Sequence, residues 1–214
     1  NLVGGSGSDH LAGDAWNDTL IGGLGDDTLE GGTLSNGTYN ADSIDGGAGV
    51  DLWTANYASN VNAITIELSN QLDLNELIDG VMDEQDQPVA VRNIERLNIH
   101  TGSGDDNISC ASFAYSDSIY AGAGSDTINV GRGGSDYVDG GDGVDLGIFD
   151  WSDSTGNIVV DPYLDDYSND EGHYVNFDNI ERFDLVAGAG SDYLAGDNLS
   201  DTLNGGAGDD ELDA

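Results

Sequence analysis

Aspartate recurs along this chain at a spacing suited to binding a hard cation. In GGLGDDTLE (22–30), three glycines and two aspartates share six positions ahead of the apolar Leu29. GGSGSDHLA (4–12) and GDAWNDTLI (13–21) repeat the pattern, so Asp9, Asp18 and Asp27 fall nine residues apart, with Leu11, Leu20 and Leu29 two places behind them. The same aspartate continues as Asp42 and Asp51, then as Asp106, Asp117, Asp126, Asp136 and Asp145, and finally as Asp192, Asp201 and Asp210. Calcium takes about six to eight oxygen ligands, which carboxylates and the backbone carbonyls of a tight turn supply together.

Such a turn needs a short strand to hold it. A triplet such as Thr28-Leu29-Glu30 sends its middle side chain to one face and the flanking two to the other, so one face is buried and one is wet. The six residues before it must reverse the chain, and glycines at fixed places permit the positive φ values this requires. The candidate turn glycines are Gly5 and Gly7, Gly23 and Gly25, Gly47 and Gly49, Gly122 and Gly124, Gly188 and Gly190, and Gly206 and Gly208. One nine-residue unit makes half a coil, so each turn stacks on the next but one. Asp9 then faces Asp27, Asp117 faces Asp136, and Asp126 faces Asp145, each pair sharing an ion.

Composition narrows the partners. The chain of 214 residues carries 42 acidic residues against four arginines and no lysine, a formal charge of -38. Nucleic acid and anionic membrane would meet like charge and are expected not to bind. Low hydrophobicity with this charge ordinarily means disorder, but here the apolar residues are phased. The single Cys110 excludes an intramolecular disulfide. No apolar run is long enough for a membrane-spanning helix, and no basic-plus-apolar leader appears. The repeat GGAGDDELD (205–213) closes with only Ala214 after it, so the chain is expected to be a piece of a longer one.

The repeats fall into three arrays, 1–53, 101–148 and 187–214, separated by less glycine-rich inserts at 54–100 and 149–186. The inserts resemble each other: VDLWTANYAS (50–59) matches VDLGIFDWSD (144–153), and NIERLNIHTGSGDDNI (93–108) matches NIERFDLVAGAGSDYL (179–194). Within them AITIEL (63–68) and NIVVD (157–161) alternate as half-buried strands do. The residues around Leu97 and Phe183 are expected to form strands that continue the stack, and LDLNELIDGV (72–81) one or two helical turns.

Read together, GGLGDDTLE (22–30), GGAGVDLWT (46–54), AGAGSDTIN (121–129), AGAGSDYLA (187–195) and GGAGDDELD (205–213) resemble the repeats-in-toxin (RTX) signature GGxGxDxUx, U being a large apolar residue. The resemblance implies an all-β fold, a right-handed parallel β-roll or β-solenoid with calcium in its glycine-rich turns. It implies on the order of ten Ca²⁺ ions, bound at the thirteen aspartates and the glycine turns named above. It also implies export from a bacterium by the type I secretion machinery, acting through the parent chain, and a place outside the cell. Several turns depart from the signature: GDAWND (13–18) and GDNLSD (196–201) lack glycine at positions two and four, GRGGSD (131–136) has Arg132 at position two, and SFAYSD (112–117) has no glycine. Calcium is expected to be weakest at SFAYSD.

Catalysis finds little support. Nearly every carboxylate pair is a copy of one turn, so none is singled out for acid–base work, and His10, His100 and His173 are scattered. The function expected is that of a calcium-binding segment of a large secreted or cell-surface protein with a structural, adhesive or surface-layer role, including self-association or cell-surface contact through the parent protein. The alternative is a secretion and folding module attached to an extracellular enzyme or toxin.

Overall fold

In the computed structural model, residues 1–14, 16–33, 42–68, 80–83, 89–110, 115–131, 133–162, 166–169 and 174–214 are described. They form a flattened coil whose two sides are 11-stranded sheets. The period of the sequence sets the coil. Leu11 pairs in register with Leu29, and Leu29 with Trp53, on one sheet; Leu2 pairs with Leu20, and Leu20 with Ile44, on the other. Leu11, Leu20, Leu29, Ile44 and Trp53, each two places after a repeat aspartate, thus point inward, and Leu20, Leu29 and Ile44 are fully buried. Neighbouring rungs of the coil are parallel, as a β-roll requires.

The inserts do not interrupt the sheets. In the first, Ile64–Glu67 runs antiparallel to Gly80–Asp83, which runs antiparallel to Val89–Arg92. The outer two strands of this meander pair in parallel with Asn107–Ser109 and Ser43–Ala48, so the meander is built into one sheet. The second insert repeats the device in the other sheet: Ile158–Asp161, Asp166–Asn169 and Tyr174–Asp178 form the meander, flanked by Tyr193–Ala195 and Ser135–Asp139. On the side facing each meander, a single strand carries the coil, Arg96–His100 in the first case and Arg182–Val186 in the second. A meander therefore lengthens one side of the roll at a time, and the two lengthen opposite sides, which leaves both sheets with equal strand counts.

The strands expected at AITIEL, NIVVD and around Leu97 and Phe183 are present. The helical turn expected over 72–81 falls mainly outside the described residues; its last two, Gly80 and Val81, open a strand.

The duplicated inserts fill the core by different means. Trp53 and Ala55 of the first copy correspond to Gly147 and Phe149 of the second. A Cβ built at Gly147 would lie 2.7 Å from the Phe149 ring, so the large side chain has moved two residues along the strand and the glycine makes room for it. Phe149 stacks on Trp151 with centroids 5.3 Å apart, and Phe177 meets Phe183 edge-on at 5.1 Å. Tyr57 and Trp151, at matching positions, are both buried.

Candidate metal site

The aspartates form two rows, one leading into each sheet. Within a row, the backbone N–H of one aspartate donates to Oδ1 of the aspartate on the next rung. Asp9 donates to Asp27 and Asp27 to Asp51, each at 2.8 Å. In the other row Asp106 donates to Asp126 and Asp126 to Asp145, each at 2.7 Å. Asp117 donates to Asp136 at 2.9 Å, Asp192 to Asp210 at 3.1 Å and Asp18 to Asp42 at 2.8 Å. Where a row restarts after an insert, an apolar residue is the donor: Ile64 to Asp106, Leu97 to Asp117, Ile158 to Asp192 and Phe183 to Asp201.

This ladder uses Oδ1 and leaves Oδ2 over. Oδ2 of Asp9, Asp27, Asp51, Asp106, Asp117, Asp126, Asp145 and Asp192 is buried without a hydrogen-bond partner. A buried carboxylate oxygen without a donor is costly, so eight repetitions of it need a ligand to explain them. Burial raises the carboxyl pKa above its ordinary range, to about 6 at Asp51, about 7 at Asp126 and Asp136, and about 8 at Asp117. Asp42, Asp106, Asp145 and Asp192 are raised as well, first by burial. Neighbouring carboxylates on the ladder add to this at Asp126 and at Asp117. Such oxygens are stabilised by a proton or a cation.

Backbone oxygens stand beside them. A Cβ built at Gly22 would meet both Oδ2 of Asp27 and the carbonyl oxygen of Gly46 on the next rung; at Gly4 it would lie 2.6 Å from Asp9 Oδ2 and 2.7 Å from the Gly22 carbonyl oxygen. Gly4, Gly13, Gly22, Gly46 and Gly140, each the first residue of its turn, thus lie against carboxylate and carbonyl oxygens together. An all-oxygen donor set of this kind suits a hard divalent cation and no soft one. The residues present fit calcium.

The turn glycines act in two ways. Gly5, Gly7, Gly23, Gly25, Gly47, Gly49, Gly122, Gly124, Gly206 and Gly208 have positive φ, as expected. Gly188 and Gly190 do not, and here the expectation is corrected: a Cβ at Gly188 would strike the Ser154 carbonyl, and one at Gly190 would lie 2.5 Å from the Gly156 carbonyl oxygen. They are glycines because the backbone of the preceding insert passes too close for a side chain.

Two turns differ in their carboxylates. In GDAWND, Oδ2 of Asp18 accepts the backbone N–H of Asp14 at 3.2 Å; in GDNLSD, Oδ2 of Asp201 accepts the N–H of Asp197 at 3.0 Å. With aspartate rather than a positive-φ glycine at position two, the N–H turns inward and satisfies the oxygen. Trp16, at position four, takes the glycine conformation with φ 101°. Asp117, in the turn expected to be weakest, instead carries an unpartnered Oδ2 like the regular turns; residues 112–114 and Arg132 lie outside the described residues.

The model of the RTX calcium-binding nonapeptide repeat (4 copies) matches residues 3–36, 114–146 and 185–214. These segments are RTX calcium-binding repeats. Comparison with curated proteins gives no match. Over these segments the chain is a calcium-binding β-roll. Two members of the ladder are glutamates and not aspartates of the nine-residue repeat. Oε2 of Glu95 accepts the N–H of Asp51 at 2.9 Å, and Oε2 of Glu181 accepts that of Asp145 at 3.0 Å. The signal was the repeated NIER at 93–96 and 179–182, where glutamate stands just ahead of a strand as the repeat aspartates do.

Proposed function

We propose that this chain is a structural segment of a secreted or cell-surface bacterial protein whose folding is driven by calcium outside the cell. The observation that carries the reading is the row of buried, unpartnered Oδ2 atoms. The ions lie between successive turns of each row, held by Asp9 with Asp27, Asp27 with Asp51, Asp106 with Asp126, Asp117 with Asp136, Asp126 with Asp145, and Asp192 with Asp210. Backbone carbonyls of the glycine turns complete each set. The turns of Asp18 and Asp201 hold calcium weakly or not at all, because their Oδ2 is already bonded.

Without cations the carboxylates of adjacent rungs repel one another in a site from which water is excluded, and short strands cannot offset this. Folding and calcium binding then form one equilibrium. Extracellular calcium modules bind at roughly 10⁻⁴–10⁻³ M, so a chain tuned to that range stays extended where calcium is scarce and folds where it is plentiful. That behaviour suits a protein threaded through type I secretion machinery. An adhesive or surface-layer role agrees with the duplicated insert and array, whose described strands extend the roll.

Limited proteolysis of the whole chain in chelator and in millimolar calcium tests the proposal. Digestion to small fragments in chelator and protection of the full chain in calcium support it. Equal protection in both buffers contradicts it.

A further inference from the structure

The eight unpartnered Oδ2 atoms obey a rule: each belongs to an aspartate whose own N–H is bonded to a carboxylate on the next rung. In six cases that carboxylate is an aspartate. For Asp51 and Asp145 it is Glu95 and Glu181, in turns that have neither the length nor the glycines of an RTX repeat. We propose that the turns 93–96 and 179–182 each complete a calcium site, with Glu95 opposite Asp51 and Glu181 opposite Asp145. The inference rests on the reading of the aspartate rows as calcium sites and extends it to a turn of different construction.

Both gaps meet the description of the regular ones. Asp51 and Asp145 are wholly buried, and Oδ2 of each lacks a donor. The next rung supplies a carbonyl oxygen in the place a glycine carbonyl occupies elsewhere: a Cβ at Gly46 would strike the Asn93 carbonyl, and one at Gly140 the Asn179 carbonyl, as one at Gly22 would strike that of Gly46. Asn93 and Asn179 hold these carbonyls in place from the left-handed region, φ 52° and 54°, which asparagine tolerates better than most residues. Their side-chain amides donate to Asp45 and Asp139 at 2.7 and 2.8 Å. Ile94 and Ile180, the middle residues, are buried in the core.

The choice of glutamate follows from the turn. A repeat aspartate closes a six-residue turn, whereas here the backbone drops from asparagine to strand in four residues. The extra methylene lets the carboxylate reach the ladder from that backbone. Each NIER turn therefore extends a calcium row by one site into the insert.

Crystals of the whole chain grown in calcium, measured at long wavelength for calcium anomalous scattering, test this. Peaks between Asp51 and Glu95 and between Asp145 and Glu181, as strong as those between Asp9 and Asp27, are expected. Peaks in the aspartate gaps with none in the glutamate gaps overturn the proposal and leave the rows standing. No peak in any gap overturns the reading of the rows and this inference with it. Calcium counted by native mass spectrometry gives a second readout: Glu95→Gln with Glu181→Gln is expected to bind two ions fewer than the unaltered chain, and an unchanged count contradicts the inference.

Discussion

The backbone N–H of Asp27 donates to Oδ1 of Asp51 at 2.8 Å, and both carboxylates keep Oδ2 buried without a partner. One oxygen of each of these two aspartates thus joins the rungs and the other has no donor, so under the proposed function removing the charge should weaken the metal site without cutting the ladder.

Asp126→Asn tests that division of labour. Asparagine keeps an oxygen that can accept the Asp106 N–H and loses the negative charge facing two gaps. The calcium midpoint for folding should rise about tenfold, in line with the ~1–3 kcal/mol at stake for a buried charged partner. Far-UV circular dichroism during a calcium titration measures it.

Asp18→Asn should do much less. Its Oδ2 is bonded to the Asp14 N–H, so its midpoint should stay within about twofold of the unaltered chain while Asp27→Asn shifts by about tenfold. Equal shifts in the two variants would refute the distinction between bonded and unbonded turns.

The metal-free chain should fold in acid. The raised carboxyl pKa values, about 6 at Asp51, about 7 at Asp126 and Asp136 and about 8 at Asp117, mean that the folded form binds more protons than the unfolded one. The stability from protonation is fully present below about pH 4, the unfolded value, and is lost as pH rises through about 6 to 8. Metal-stripped protein followed by circular dichroism from pH 8 to 4 should gain β signal, and calcium affinity should fall over the same range as protons compete for the ligands.

Glycines of like φ should differ in cost. Gly5 and Gly23 have φ 113° and 118°, but a Cβ at Gly5 meets nothing within 4 Å whereas one at Gly23 would strike the Gly5 carbonyl. Gly5→Ala should lose about 1 kcal/mol from backbone strain alone, and Gly23→Ala clearly more. Urea unfolding in saturating calcium compares them.

Much of this was legible in the sequence because it is periodic. The nine-residue phase placed Asp9, Asp27 and Leu29 correctly, and it predicted that each turn stacks on the next but one. What it missed depends on contacts between distant rungs. The sides on which the two meanders lie follow from strand pairings such as Val89–Arg92 with Ser43–Ala48, which no local pattern records. The bonded Oδ2 of Asp18 depends on the backbone direction at Asp14, and Gly188 is required by the Ser154 carbonyl thirty-four residues earlier. Glu95 stands outside the nine-residue aspartate period, because a shorter turn calls for a longer side chain.

The most direct test of the central claim is far-UV circular dichroism of the whole chain, stripped of metal at pH 7.5 and titrated with calcium, with magnesium as control. A cooperative gain of β signal near millimolar calcium and none with magnesium is the predicted result. A β signal already complete in chelator and indifferent to calcium would contradict the account, since the unpartnered carboxylates would then not need an ion.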